Sequence, residues 1–453
     1  MSFVADKQTL DDLNIPGRYK GDSIINLFDH TVTRGGGRML ESMFQHPLTD
    51  AALINTRTSI FKYFQETGMV FPVSRELCEK VEHYISTAGN NNLVVVASMV
   101  CRKKILQMIG SDPEYDMICN GILAVTELLN AVSSFLAKAG LHNNAGAYSK
   151  TMQEAQQLLH SAGLEKLLKE QGVARLSLWK VITYDHLLRT VLQHALKRLL
   201  DLLYEMDVYV TVARIARERK FEFAQAMAFE TGKNQIEIDD LFHPRLAGAV
   251  PNTVHTCNDH NMIFLTGANM AGKSTFMKSF GIAVYLAHMG FPVAAARMVF
   301  SVQNGLYTSI NVADNLNKGY SHFYAEVLRV KEVAMAVSQS KNLVIIFDEL
   351  FKGTNVKDAY DATVAVTGAF AENRNVTFIV STHIVEAGQA LQQQGSNISF
   401  VFFPTILNKG IPRYTYKLQQ GISDDRHGMM IITNEGIIDI IKGKGHVSAK
   451  RSS

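Results

Sequence analysis

The sequence predicts an α + α/β protein of two parts, an all-helical part over residues 1–228 and an α/β part over residues 229–441. From about residue 20 to 225 the chain is rich in Leu, Ala, Met, Glu, Lys and Gln, and apolar residues recur three or four positions apart, which is typical of helices. From about residue 236 it changes to short apolar runs, each followed by a glycine-rich or polar turn and a helix-like stretch, which indicates an α/β fold. A basic, polar tail over residues 442–453 is expected to be flexible.

In the helical part, the longest predicted helix covers residues 184–219, and at about 1.5 Å per residue it would be roughly 50 Å long. That is longer than a compact domain requires, so two interpretations stay open: a bundle helix, or a lever that joins separated sites. Its apolar stripe consists of Leu188, Leu192, Ala195, Leu199, Leu202, Met206, Tyr209 and Ala213.

Four apolar runs in the α/β part predict strands. The hydrophobicity of these runs is continuous rather than alternating, with few polar residues, which favours strands buried on both faces of a mostly parallel sheet. The runs cover residues 262–266, 343–347, 376–381 and 398–403.

Composition excludes several classes of protein. The 453 residues are 47% hydrophobic and 19% charged with a net charge of +3, ordinary globular values that predict no strongly basic surface. The four cysteines have neither paired nor metal-ligand spacing, which favours a reducing compartment, the cytoplasm, over a disulfide framework or a zinc site. No apolar run reaches about eighteen residues and no basic start precedes an apolar run at the N-terminus, so we expect neither export nor membrane insertion.

The stretch TGANMAGKSTF, residues 266–276, has the spacing of a phosphate-binding loop: Gly267, four residues, then Gly272, Lys273 and Ser274. The glycines let successive backbone N–H groups face phosphate oxygens, Lys273 reaches the terminal phosphates, and Ser274 can ligate Mg²⁺. We therefore expect a nucleotide and Mg²⁺ at this loop. The expected nucleotide-binding residues are Gly267, Ala268, Asn269, Met270, Ala271, Gly272, Lys273, Ser274 and Thr275.

Two adjacent carboxylates, Asp348 and Glu349, end the apolar run in NLVIIFDEL. Packing explains such acids poorly, whereas an enzyme with a phosphate-binding loop uses both, Asp348 for Mg²⁺ and Glu349 as the general base for the attacking water. Hydrolysis is thus favoured over binding alone, with Lys273 and His383 as further catalytic candidates. His383 follows the run TFIVST, where ATPases of this kind sense the γ-phosphate, although a structural role stays open.

The stretch DNLNKGYSHFYAEVLRV, residues 314–330, is a glycine-and-serine turn that opens an amphipathic helix. Ser321 can cap this helix, with Glu326 nearby. Alternatively, the serine and the helix N-terminus contact a nucleotide held by another subunit. Both interpretations stay open.

Together these motifs resemble those of the MutS-family mismatch-repair ATPases. TGANMAGKST looks like their TGPNMGGKST, FDELFKGT like DEIGRGT, STH like ATH, and VADNLNKGYSHFYAE like the DDLASGRSTFMVE signature. The FHP at residues 242–244 resembles the RHP that enters their ATPase domain. In the helical part, residues 28–57 look like the start of the family's core domain, and residues 199–221 like its returning lever helix.

The resemblance implies a MutS-type core and lever domain followed by an ABC-type ATPase domain that uses ATP and Mg²⁺. It also implies a homodimer, since in the family the signature serine, here Ser321, completes the ATP site of the partner subunit. The implied partners are duplex or branched DNA and other repair proteins, with no membrane. Six positions depart from the family's residues and mark a divergent member: Ala268, Ala271, His322, Phe351, Lys352 and Asn355.

Mismatch-reading members carry an N-terminal domain with a Phe-x-Glu wedge before the core, but the core-like stretch of this sequence already begins at residue 28. We therefore expect no mismatch-reading domain. Phe64-Gln65-Glu66 fits the wedge pattern but lies inside a helical segment, so we interpret it as a chance match. The stretch between the core start and the returning helix is short, and we expect the clamp domain that grips duplex DNA to be reduced or absent.

The leading hypothesis is a MutS-like DNA-repair or recombination ATPase that hydrolyses ATP at composite dimer sites and couples this to DNA binding without reading mismatches. One alternative is an interaction module in which ATP only locks a dimer. Such a module would lack a functional general base, whereas Glu349 is present. Another is the ATPase subunit of a transporter, which would carry LSGGQ where this chain has GYSHF.

Overall fold

The computed structural model describes residues 3–16, 21–87, 89–110, 113–140, 146–161, 163–170, 172–173, 175–268, 270–310, 322–339, 341–352, 354–394, 397–408, 411–423 and 436–442. The chain divides into two compact units. The helical unit contains Ile25–His46 and Thr56–Lys220, and the α/β unit contains Met1–Ile24, Pro47–Asn55 and Phe221–Ser453. Apart from Lys442, the predicted tail lies outside the described residues.

Helices account for most of the helical unit and cover the sheet of the α/β unit. The first helix and the last five belong to the α/β unit, and the others lie wholly or mainly in the helical unit. In chain order they are α1 (Lys7–Asp12), α2 (Ile24–Phe28), α3 (Arg34–Gln45), α4 (Ala51–Thr67), α5 (Arg75–Ser86), α6 (Leu93–Met108), α7 (Glu114–Gly140), α8 (Ser149–Leu159), α9 (Leu164–Leu168), α10 (Leu178–His186), α11 (Gln193–Arg219), α12 (Lys273–His288), α13 (His322–Ser338), α14 (Val356–Ala371), α15 (Val385–Gln394) and α16 (Ile437–Ile441).

The longest predicted helix, residues 184–219, is not continuous. A π-helical turn, Leu187–Val191, separates α10 from α11, and in it the Leu192 N–H bonds to the Leu187 carbonyl at 2.8 Å. One such turn shifts the apolar periodicity by a single residue, which is too little for the pattern to reveal. The remaining helix, α11, is about 40 Å long at 1.5 Å per residue and packs along α3 and α8 within the helical unit.

The buried carboxylate of Asp207 joins α11 to the start of α3. It accepts hydrogen bonds from the backbone N–H groups of Val32 (3.0 Å) and Thr33 (2.7 Å) and from the Thr33 hydroxyl (2.8 Å). Thr33 in turn caps α3 by accepting from the N–H of Gly36 at 2.9 Å. A Cβ on Gly36 would lie 2.6 Å from Asp207 Oδ2, so this approach requires glycine.

One helix in the described part of the chain, α7, is long and apolar enough by length and composition to cross a membrane. In the structure, 56% of its apolar stretch is buried inside the protein. The core helix of a globular unit passes the same test, so the finding is weak evidence for a membrane. The sequence did not single this helix out because charged residues such as Glu127 interrupt its apolar run.

The four predicted strands are present as β6, β10, β11 and β12. The full set in chain order is β1 (Val4–Ala5), β2 (Glu222–Phe223), β3 (Gln225–Met227), β4 (Gln235–Leu241), β5 (Asn252–Cys257), β6 (Met262–Gly267), β7 (Pro292–Val293), β8 (Arg297–Ser301), β9 (Gly305–Ser309), β10 (Leu343–Phe347), β11 (Thr377–Ser381), β12 (Ile398–Phe403), β13 (Thr405–Asn408), β14 (Ile411–Tyr414) and β15 (Gln419–Gln420).

The main sheet has seven strands in the order β1-β9-β10-β11-β6-β12-β15, and every neighbouring pair is parallel except β12 and β15. The predicted combination of a helical part with a mostly parallel α/β sheet is confirmed. A second sheet has the order β3-β8-β4-β5. Because β6, β10 and β11 are parallel and close together, the loops that follow them meet at one edge of the main sheet.

The first residues of the chain pack with the α/β unit, whereas the sequence placed them in the helical part. β1 forms the edge of the main sheet beside β9. Asp12 accepts hydrogen bonds from the Thr308 hydroxyl (2.7 Å) and the Ile310 N–H (2.9 Å). Arg329 donates to Asp6 and to the Thr308 carbonyl, the latter at 2.8 Å. Asp12 and Thr308 are 296 positions apart, a distance over which no local pattern carries information.

His288, the last residue of α12, is completely buried. Its Nδ1 lies 2.8 Å from the Val284 carbonyl, and its Nε2 lies 2.9 Å from the Gln303 backbone nitrogen. A carbonyl can only accept and an N–H can only donate, so the ring is the neutral tautomer with its proton on Nδ1. Burial lowers the pKa of His288 from 6.5 to about 4.

We therefore expect the α/β unit to lose stability as the pH falls from 6.5 towards about 4. In this range the unfolded chain binds a proton at His288 while the folded chain does not. The stability that neutral His288 provides is therefore complete above pH 6.5 and is lost progressively as the pH falls towards about 4. At about 1.4 kcal/mol per pKa unit, the loss approaches roughly 3 kcal/mol. Urea unfolding across this range measures it. His288→Gln should lack this loss of stability at low pH, and the exposed His260→Gln should keep it. Equal pH dependence in both variants would contradict the assignment of the loss to His288.

Candidate functional site

The glycine-rich stretch forms a loop between β6 and α12 at the carboxyl edge of the main sheet. Gly267 and Gly272 have φ angles of 136° and 105°, which favour glycine. A Cβ on Gly267 would lie 3.2 Å from the Phe403 carbonyl oxygen, and one on Gly272 would lie 3.2 Å from the Tyr416 ring. Backbone conformation and close packing therefore both explain these glycines, and the N-terminus of α12 faces the loop, as in anion-binding sites.

Lys273, the first residue of α12, is only 5% exposed. Its Nζ donates to the carbonyls of Gly267 (2.7 Å) and Ala268 (3.2 Å). Burial lowers the pKa of Lys273, and the carboxylates of Glu349 and Asp348 oppose that shift. An ammonium group has three donors, so one N–H remains to bind an anion.

The Asp348 carboxylate is held between two serine hydroxyls. Ser274 Oγ donates to Oδ2 at 2.5 Å, and Ser381 Oγ donates to Oδ1. The Asp348 N–H bonds to the Ser309 carbonyl at 3.0 Å, which fixes the backbone where β10 ends. The structure thus brings together Ser274 and Asp348, the two predicted Mg²⁺ ligands, from positions 74 residues apart.

Glu349 has a φ angle of 53°, which is uncommon for a residue with a side chain. Its N–H bonds to the Ser381 carbonyl at 3.0 Å, which holds this conformation. The side chain is half-buried, and Lys352 Nζ lies 3.6 Å from its Oε2. Backbone conformations of this kind cluster at functional sites, where the surrounding structure maintains them.

A cavity of about 610 Å³ opens over the loop. Its polar lining residues include Lys273, Ser274 and Glu349. Apolar and aromatic residues also line it, including Phe242, His243, Leu246, Phe403 and Tyr416. A cavity of this size, with a few polar groups among apolar ones, can hold a small organic ligand that carries an anionic group.

Two family models match the chain. Residues 263–446 match MutS domain V, and residues 8–213 match MutS domain III. The chain belongs to the MutS family. This confirms the family that the motifs indicated.

Relatives named DNA mismatch repair protein MutS are similar to this MutS-family chain over different lengths. The protein of Rickettsia massiliae is 25% identical over 456 residues, which cover 80% of the chain and 51% of the relative. The protein of Rickettsia felis is 25% identical over 468 residues, which cover 82% of the chain and 52% of the relative. The protein of Bacillus pumilus is 26% identical over 233 residues, which cover 50% of the chain and 26% of the relative. The chain spans about half the length of the two Rickettsia relatives.

In this MutS-family chain, the oxygen atoms of Ser274 and Asp348 suit Mg²⁺, which proteins hold through one or two carboxylates while phosphate and water complete the shell. Over the described residues, no group of three or more His, Cys, Asp or Glu side chains is placed to hold a metal ion. A cation beside Asp348 would therefore depend on oxygens from a bound phosphate compound.

The other predicted residues of the MutS-family site differ in their placement. Ala268, Met270 and Thr275 line the cavity, whereas Ala271 is a buried residue of the loop and does not line it. His383 is exposed, is not among the residues that line the cavity, and forms no hydrogen bond with another described residue. Two predicted residues lie outside the described part of the chain: Asn269 and Ser321.

The structure adds residues that sequence reasoning missed. Ser381 binds Asp348 and accepts from the Glu349 N–H, and the signal for it was present, since it opens the same STH motif that contains His383. Asn252 donates to the Tyr416 carbonyl at 3.0 Å and accepts from the Leu418 N–H at 2.7 Å, which holds the Tyr416 ring over the loop. No sequence signal predicted this contact, because Asn252 and Tyr416 are 164 positions apart.

Proposed function

We propose that this chain is a MutS-like ATPase of DNA repair or recombination, which binds ATP with Mg²⁺, hydrolyses it and couples the nucleotide state to DNA binding. The observation that carries the proposal is the Ser274–Asp348 hydrogen bond of 2.5 Å beside the buried Lys273. A hydroxyl, a carboxylate and an ammonium group converge at the end of a glycine-rich loop. This combination serves the phosphates and the metal ion of a nucleoside triphosphate.

Each residue has a distinct proposed role. The backbone N–H groups of the loop and the free N–H of Lys273 bind the β- and γ-phosphates, and Ser274 and Asp348 hold Mg²⁺. When bound, Mg²⁺ neutralises charge on the phosphates. Glu349 orients the attacking water and accepts its proton, and His383 contacts the γ-phosphate once the nucleotide is bound.

The apolar and aromatic lining of the cavity is proposed to receive the base and ribose of ATP. The aromatic ring of Tyr416 stands over the glycine-rich loop, and Phe242 and Phe403 supply further apolar surface. We further propose a homodimer in which Ser321 of one subunit completes the ATP site of the other, with other repair proteins as additional partners and the cytoplasm as the compartment.

The proposed function is tested by phosphate release from ATP with no DNA, linear duplex, branched duplex or mismatched duplex. We expect hydrolysis that one or more of these DNA forms changes. Lys273→Ala should weaken ATP binding itself because the loop loses its only ammonium group. Lys278→Ala, on the same helix α12, is the matched control and should bind ATP normally. Absence of hydrolysis under all four conditions would contradict an ATPase.

We predict that any duplex binding distinguishes a mismatch from perfect pairing by less than about 1 kcal/mol, below the typical cost of one wrong base pair in a specific complex. The Phe-x-Glu match in this chain offers no wedge, because Phe64 is 2% exposed and its ring packs against Phe135, Tyr148 and Tyr209. Titration of matched and mismatched duplexes at one stated salt concentration measures the difference. A tenfold preference for the mismatch would contradict the prediction.

A further inference from the structure

A second cavity, of about 650 Å³, lies inside the helical unit and is separate from the candidate site described above. Residues of α5, α6 and α7 and of the segment around the π-turn form its walls. Its volume falls within the range of about 300–1,000 Å³ that small-molecule sites occupy. Nothing in the proposed ATPase mechanism uses it.

Most of the wall is apolar. Val96, Met99 and Val100 project from α6, and Met117 and Ile118 project from α7. Met99 and Met117 are about half exposed, which places flexible thioether side chains at the mouth, where they can adapt to a bound group.

Three interlocked polar side chains are among the residues that line the cavity. Asp185 accepts from the Tyr84 hydroxyl at 2.9 Å and from Arg189 Nε and Nη2 at 2.8 Å and 2.6 Å. The Arg189 guanidinium also lies 5.2 Å from the centre of the Tyr84 ring. Asp185 is buried and Arg189 is largely buried, with 6% and 11% of their side chains exposed. Arg189 Nη1 forms no hydrogen bond with another described residue, which leaves donors for a ligand.

The π-turn and two glycines fix this arrangement. The Thr190 hydroxyl donates to the Asn90 carbonyl at 3.2 Å, which ties the turn to the loop before α6. A Cβ on Gly89 would lie 2.6 Å from the Arg189 carbonyl oxygen, and one on Gly121 would lie 2.3 Å from Tyr84 Cδ2. The backbone thus approaches the polar side chains more closely than other residues would allow, and π-turns of this kind are frequent at functional sites.

Charge at the cavity favours an anion. Of the lining cations, Lys103 pairs with Glu114 at 2.6 Å and Arg189 pairs with Asp185. Lys80 lines the cavity and joins no ion pair with another described residue. Its ammonium group and the unused Nη1 of Arg189 are therefore the donors that an incoming anionic group would meet.

We propose that this cavity binds an organic anion with an apolar body: an aromatic or acyl group that carries one carboxylate, sulfonate or phosphate. The apolar body packs against the side chains of α6 and α7. The anionic group binds Lys80 and Arg189 Nη1. Because Arg189 lies in the π-turn directly before α11, the bound anion stabilises the turn that sets where this long helix begins.

The test uses two fluorescent probes that share an apolar body and differ by one charge, 8-anilinonaphthalene-1-sulfonate and the neutral N-phenyl-1-naphthylamine. Titrated into the full chain, the sulfonate should bind one site at least about fivefold more tightly than the neutral probe, because it adds charge-assisted hydrogen bonds. Lys80→Ala should remove this preference. Equal affinity of the wild-type chain for both probes would overturn the proposal. An unchanged preference for the sulfonate in Lys80→Ala would overturn it as well.

A pair of matched substitutions on α6 locates the bound probe. Met99→Trp fills the mouth of the cavity and should weaken sulfonate binding about tenfold or more, whereas Met108→Trp makes the same change at an exposed residue outside the cavity and should have no effect. Circular dichroism and urea unfolding establish that each variant is folded. If Met99→Trp does not fold, Met117→Trp fills the cavity from α7 instead. Wild-type binding in a folded, filled variant would place the probe elsewhere and overturn the proposal.

Discussion

Glu349→Gln is expected to lower ATP turnover by about 10²-fold or more while ATP affinity stays unchanged. The substitution removes a carboxylate that can accept the proton of the attacking water, but it preserves the size of the side chain. The glycine-rich loop, Lys273 and the Ser274–Asp348 pair, which are proposed to bind the phosphates and Mg²⁺, remain intact. Phosphate release under saturating ATP and a separate equilibrium measurement of ATP binding check the two halves of this prediction.

The matched control is Glu372→Gln, an exposed glutamate of the same α/β unit that lies just after α14. It should hydrolyse ATP at the wild-type rate. Lys352→Ala tests the neighbour that lies 3.6 Å from Glu349 Oε2 and should have a much smaller effect than the loss of the base. Turnover that is unchanged in Glu349→Gln would remove Glu349 from the proposed role and favour a different base.

A second large effect is expected if the active site is shared between two subunits. Ser321→Arg should abolish hydrolysis because the arginine blocks the γ-phosphate of the partner's ATP, and Lys273→Ala should abolish it because the loop no longer binds ATP. Mixing the two inactive proteins should restore activity. In the mixed dimer, the Ser321→Arg chain holds ATP on an intact loop and the Lys273→Ala chain supplies an intact Ser321, so one complete site forms.

Several controls test whether the restored hydrolysis comes from a site shared between two subunits. Ser338→Arg, an exposed serine at the other end of α13, should stay active by itself. Tagged chains verify subunit exchange, and size measurements in the Glu349→Gln background should show dimers that depend on ATP. If exchange is verified but the mixture stays inactive, Ser321 acts within its own subunit or only caps α13, and the shared site is wrong.

The central strands of the main sheet were predictable because their signal is local. A strand that is buried on both faces is mainly apolar rather than alternating, and this holds for β6, β10, β11 and β12, in which the few polar residues are Thr, Ser and Gly. The loop after β6 was predictable for a similar reason, since Gly267 and Gly272 occupy left-handed conformations that favour glycine. In both cases the physical requirement acts on neighbouring residues, so the sequence pattern records it.

The proposed site was predictable only in part. The glycine spacing, Lys273 and the adjacent pair Asp348 and Glu349 could be read directly from the sequence. Ser381 was missed because a serine hydroxyl acquires its role only when β11 lies beside β10 and brings it to Asp348. The π-turn before α11 was missed because the side-chain contacts that accompany it, such as that of Thr190 with Asn90, lie 100 positions apart.

The sequence by itself determined the family, the class of each half and the residues proposed for phosphate and metal chemistry, because spacing along the chain carries that information. The tertiary structure decided which distant groups meet. It placed the first residues of the chain against β9, Asn252 against the backbone of Tyr416, and Tyr84 with Arg189 around Asp185. Each of these contacts joins residues that are unremarkable in their own segments, and pairing them depends on burial and strand order that exist only in the folded chain.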